Sequence, residues 1–109
     1  MPSRWAKQEV RTDVVGDGIE LDVQNLTRAR FQVVILHGDL ASATIAAKQS
    51  CDPKGSVYAQ PTTPTTLTAA GITDSFDVTG AAKIKIEITV ATATAGSRAM
   101  LYVCAYGEP

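Results

Sequence analysis

The most regular feature of the chain is an alternation of apolar and polar positions towards its C-terminus. In GAAKIKIEITVA, Ala82, Ile84, Ile86, Ile88 and Val90 fall on one side of an extended backbone, and Lys83, Lys85, Glu87 and Thr89 on the other. On a helix these isoleucines would spread around the cylinder. A period of two makes them one face of a half-buried strand, and β-branching favours the extended backbone. SRAMLYVCAYG repeats the pattern with Ala99, Leu101, Val103 and Ala105, but its other side, Met100, Tyr102, Cys104 and Tyr106, is not polar. The intervening TATAGSR supplies the Gly-Ser of a turn, so the two strands are expected to lie adjacent and antiparallel, as a hairpin.

Earlier segments carry the same period. Ile19, Leu21 and Val23 alternate with Glu20, Asp22 and Gln24. Phe31, Val33 and Ile35 alternate with Gln32, Val34 and Leu36, a strand apolar on both sides towards its end and so predicted to be central. Ala41, Ala43, Ile45 and Ala47 alternate with Ser42, Thr44 and Lys48. SCDPKGS is a turn by its Asp-Pro and Gly, and SVYAQ reads as a short strand. Pro61 and Pro64 exclude a central strand from the Thr-rich stretch after it, Thr62 to Thr68, which is expected to be extended and solvent-facing. In TDSFDVTGA, Phe76 and Val78 are expected inward.

About eight short strands with turn residues every 8–12 positions describe an all-β protein, an antiparallel β-sandwich of jelly-roll-like type. Residues 19–109 are read as the single sandwich domain. Residues 1–18, MPSRWAKQEVRTDVVGDG, fit the rhythm poorly and are read as an N-terminal arm or a first strand.

Composition narrows the functions. The 109 residues suit one domain; 45% are hydrophobic and 19% charged, and the net charge is −1. No basic field attracts nucleic acid or an anionic membrane. No apolar run is long enough to span a bilayer, and the polar start lacks the apolar centre of a secretory signal, so synthesis in a cytosol is expected. The two cysteines, Cys51 and Cys104, are read as free thiols, and one histidine with no C-x-x-C leaves no zinc site. No cofactor or metal is expected.

Catalytic groups are sparse. Asp17, Asp39, Asp52 and Asp74 sit beside turns, where Asp caps its own backbone, and Glu20, Asp22 and Glu87 lie on polar strand faces. His37 ends a strand, with nothing local to pair it to a cysteine nucleophile. GDG at 16–18 reads as a turn, and the NLT at Asn25 as a chance match to a glycosylation acceptor. What stands out is the apolar second face of the last strand. Met100, Tyr102 and Tyr106 suit a subunit interface, where Met and aromatics are enriched, better than a sugar-binding platform.

The order of elements brings a resemblance with it. A strand ending in LHG, the turn in KQSCDPKGSVYAQ, and the run DSFDVTGAAKIKIEITVATATAGSRAMLYVCAY resemble small virion proteins of tailed bacteriophages, the head decoration or cement proteins. The resemblance runs from about Asp22 onward and rests on the S-x-D turn, the FDVTG element and the final AGS turn. Val57 and Tyr58 stand where such modules often carry a Trp. It implies a non-enzymatic β-sandwich that forms a homotrimer, or a dimer, and binds over major capsid protein junctions to stabilise the head. It implies a chain made in the host cytoplasm and ending on the capsid surface of the virion. It also gives Arg4 and Trp5 a role, as an arm reaching a neighbouring capsomer through one aromatic anchor. Neck, tail or fibre modules and carbohydrate-binding sandwiches share the fold class and are the alternatives.

Overall fold

The computed structural model describes residues 3–38, 43–54, 57–59, 66–67, 71–73, 75–91 and 95–107. Leu40 to Ser42, Asp39, Asp74, most of the Thr-rich stretch with Pro61 and Pro64, and the side chain of Val90 lie outside the described residues. Nine strand segments are seen among those described, and no helix. They are β1 (Ser3–Arg11), β2 (Gly18–Asp22), β3 (Arg28–His37), β4 (Ala43–Ser50), β5 (Thr66–Leu67), β6 (Gly71–Ile72), β7 (Phe76–Asp77), β8 (Lys83–Ala91) and β9 (Arg98–Tyr106).

Two antiparallel sheets divide these segments. The first runs β1-β9-β3-β6, with β7 also on β3; the second runs β2-β8-β4-β5. Segments β6 and β7 lie along the same side of β3, opposite Gln32–Val33 and Arg28–Ala29, so they act as one interrupted edge strand. Counted that way there are eight strands, and most connections cross from one sheet to the other. This interleaving stacks the two antiparallel sheets face to face as a sandwich.

The core lies between the sheets and is supplied by the alternating positions. Val10, Phe31, Val33, Leu101 and Val103 come from the first sheet; Ile19, Leu21, Ile45, Ile84, Ile86 and Ile88 come from the second. Phe31 meets Phe76 edge to face, with ring centroids 6.5 Å apart. Each β-branched side chain stands off a pleated surface towards the opposite sheet, about 10 Å away.

Three expectations are revised. Strands β8 and β9 are not a hairpin: β8 pairs with β2 and β4, β9 with β1 and β3. The connection therefore joins one sheet to the other. Six residues between Ala91 and Arg98 are enough to cross the inter-sheet gap, and the crossing lets both apolar faces look inward at each other. SVYAQ is not a strand across its described residues; only Ala59 pairs, exchanging two backbone bonds with Gln49 at 2.7 and 2.8 Å. Strand β4 does not alternate simply: its register with β8 shifts at Thr44/Ile45, and Ile45, Ala46 and Ala47 are all buried, Ile45 and Ala47 in the core and the small Ala46 beside Glu87 on the other side.

Close approaches explain two glycines. A Cβ on Gly18 would strike the backbone of β8 at the carbonyl oxygen of Ile86, next to Glu87, the residue paired with Gly18. Gly38 ends β3 with φ +82° and packs so tightly on the buried Ser97 that a side chain there would overlap it. The same end of the sandwich is tied by Asp13. Its carboxylate accepts from Arg11 Nε at 3.0 Å and Nη2 at 2.8 Å, and from the Gly96 backbone N–H at 2.9 Å. The Arg11 hydrogen bond first, then that of Gly96, lower the Asp13 pKa to about 2.

Candidate functional site

The two outer faces of the sandwich differ in kind. On the β2-β8-β4 sheet, register sets Lys48 directly opposite Lys85, a repulsive arrangement if left alone. Glu87, one row along and flanked by the small Gly18 and Ala46, sits in reach of both. It pairs with Lys48, and with Lys85 at 3.4 Å, while Lys83 lies 3.8 Å from Glu20. Burial pushes the Glu87 pKa up, but the hydrogen bond from Lys48 and the two positive charges outweigh it and hold the carboxyl below its ordinary value. Tyr58 lies close by. Burial, with the charge of Glu20 next, raises its hydroxyl pKa to about 12. This face satisfies its own charges.

The outer face of the β1-β9-β3 sheet also pairs charge, Arg98 with Glu9 at 3.1 Å, but it differs in its apolar content. Trp5 stands opposite Cys104, Lys7 opposite Tyr102, and Glu9 opposite Met100; across β9, Tyr102 meets Gln32 and Met100 meets Val34. Gln32 in turn faces Ile72. Trp5 is 69% exposed, Ile72 55%, Val34 41% and Tyr102 37%, so a band of large apolar side chains runs across the sheet. Single exposed apolar residues are ordinary, but a contiguous band is what marks a contact surface.

Four of the five residues singled out from sequence therefore meet on one face: Trp5, Met100, Tyr102 and Tyr106. Arg4 does not join them. It stands opposite Ala105, whose side chain is in the core, and so has the other parity, exposed at the edge of the sheet. Trp5 reaches the face as part of β1, which pairs with β9 over its whole length. Val34 and Ile72 belong to the band as well. Val34 was signalled by the doubled apolar character of β3; Ile72, in a two-residue segment, carried no signal.

The architecture is shared with a prophage protein. The SPBc2 prophage-derived protein YomS is similar to this chain with a TM-score of 0.64 and 13% sequence identity, over 96% of this chain and 95% of that one. The Bacillus endospore appendages, a novel family of disulfide-linked pili, are similar with a TM-score of 0.49 and 12% identity, over 98% and 88%. At such identity the likeness to YomS is one of fold. No protein-family model matches the chain, and no curated protein matches it.

The groups considered for chemistry are dispersed. Asp17 accepts the Arg11 backbone N–H at 2.8 Å, and Asp52 that of Lys54 at 2.9 Å, the capping expected of turn carboxylates. Cys104 is exposed on β9, and His37 sits opposite Arg98 at the far end of that strand, about 20 Å away at the rise of an extended chain. Cys51 follows β4 in the other sheet and is also exposed and free. Among the described residues no group of three or more His, Cys, Asp or Glu gathers that could hold a metal. Asn25 occupies a tight turn with φ 65°, a conformation Asn tolerates, between Asp22, which accepts the Gln24 N–H, and the Leu26 N–H bonded to Val23.

Proposed function

We propose that this chain is a non-enzymatic structural protein of a phage virion, a decoration protein that self-associates and clamps over major capsid protein junctions on the head surface. The observation that carries the reading is the contrast between faces. One face neutralises its own charges, whereas the other offers Trp5, Met100, Tyr102, Val34 and Ile72 to solvent. A shell stabiliser works through buried area and shape, and interface cores favour Met and aromatic residues. The fold held in common with a prophage-derived protein supports a phage setting. In that setting the chain is made in the host cytoplasm and ends on the capsid.

A second reading, carbohydrate binding, has one observation in its favour. Trp5, Tyr102 and Tyr106 share a face with Arg28 and Arg30. Both guanidinium groups are already committed, however. Arg28 donates to Ser75 at 2.7 and 2.9 Å, and Arg30 to the Thr73 carbonyl at 3.2 Å, which disfavours their use on a sugar.

Mixing the protein with undecorated phage heads and sedimenting them tests the first reading. Saturation at a fixed ratio to capsid subunits is expected. Recovery in the supernatant, with retention on a glycan array, would favour the second.

A further inference from the structure

The first sheet has one guarded edge and one open edge. On the guarded side the ladder breaks between β6 and β7, and Thr73 fills the break. Its hydroxyl accepts from the Phe31 N–H at 3.0 Å and donates to the Phe31 carbonyl at 3.1 Å. On the open side β1 is nine residues long, and no described strand lies beyond it. The edge strands of the second sheet, β2 and β5, have five and two residues. A long unprotected edge strand is a template for pairing.

Which backbone groups of β1 are free follows from register. The Thr12 N–H donates to the Ser97 carbonyl at 3.1 Å, in line with the β1–β9 pairs, so even-numbered residues exchange bonds with β9. Odd-numbered residues turn their N–H and C=O away from it. Arg11 fits this: its N–H goes to Asp17, and its carbonyl to the Val14 N–H at 3.3 Å. That leaves Ser3, Trp5, Lys7 and Glu9 as a set facing outward.

We propose that two copies of this chain pair antiparallel through β1, with Ala6 on the two-fold axis. This rests on the reading above only in that the protein self-associates; it names the surface and the symmetry. The occupant is argued from side-chain complementarity. With Ala6 opposite Ala6, Ser3 faces Glu9 and Trp5 faces Lys7, each twice, and all the free backbone groups are used, making about eight new hydrogen bonds. Lys7 then lies beside an indole, a cation–π contact. On the other parity, exposed Arg4 faces Gln8, so the one predicted interface residue missing from the outer face acquires a partner. Moving the axis to Lys7 would oppose two lysines. Moving it to Gln8 would place Trp5 against Arg11, whose backbone is already bonded. A two-fold isologous contact closes at two subunits, so this interface builds a dimer and not a trimer.

The test uses the full chain. Light scattering is expected to give twice the monomer mass of 11.5 kDa. Lys7→Pro removes a donor that points away from β9, so the mass should halve while the melting temperature holds. Trp5→Lys, which sets lysines against each other on an exposed position, should do the same. With Cys51 and Cys104 changed to Ser, Ala6→Cys should form an intermolecular disulfide on oxidation, since facing residues in a non-hydrogen-bonded pair lie about 4.5 Å apart. Gln8→Cys should not. A monomeric wild type, a dimer that survives both Lys7→Pro and Trp5→Lys, or crosslinking through Gln8→Cys in place of Ala6→Cys would overturn the pairing. Head sedimentation separates this from the virion reading: a monomer that still coats heads overturns the pairing alone, and a dimer that does not coat them overturns the virion reading alone.

Discussion

At the residue scale, single polar groups complete what the strands leave open. Thr73 is the clearest case, because it gives Phe31 the bonds a continuous edge strand would have given. Thr73→Val keeps the shape and strands a buried N–H, which costs about 1–3 kcal/mol. Chemical denaturation should read that loss, and Thr73→Ser should recover most of it. Asp13 makes a prediction in pH. Its carboxyl titrates at about 2 in the folded protein against an ordinary 3.8, so the stability it contributes is complete above about pH 4 and disappears as pH falls towards 2. Asp13→Asn should lower the melting temperature at neutral pH and flatten its fall over that acid window. A variant melting in parallel with the wild type down to pH 2 would exclude this role. Neither residue announces its function in sequence, since each acts on a backbone group far along the chain.

At the element scale, legibility followed burial. Strand β8 and the inward side of β9 could be read position by position, because a strand facing a core must alternate. Strand β1 could not be told from an arm: as an edge strand it buries only Val10 fully, with Ala6 partly covered, and its other seven positions, the apolar Trp5 among them, are exposed, so no alternation shows. The β8–β9 connection was misread as a hairpin because a Gly turn between two alternating strands looks the same whether the next strand pairs with the first or joins the opposite sheet. The apolar outer side of β9 was visible. That Trp5 lies beside it was not, since the register joins the two ends of the chain. A core prediction belongs here. Ile86→Ala, on the central strand of its sheet, should cost about 2–5 kcal/mol in denaturant titration, whereas truncating the exposed Val34 should stay within about 0.5 kcal/mol.

At the scale of the whole molecule, the sandwich is a stiff slab 41 × 26 × 21 Å with one self-satisfied face, one apolar face and one open edge. The virion reading uses the face and the pairing uses the edge, and the two surfaces meet at Trp5. Removing apolar area from the face should therefore abolish binding to a shell without unfolding the slab. The most direct measurement is co-sedimentation of undecorated phage heads with wild type and with Tyr102→Glu, alongside a melting curve of each. Wild type should saturate the heads at a fixed stoichiometry, and the variant should stay in the supernatant with its melting temperature preserved. A wild type that does not sediment, or a folded variant that coats heads as well as wild type does, would contradict the account.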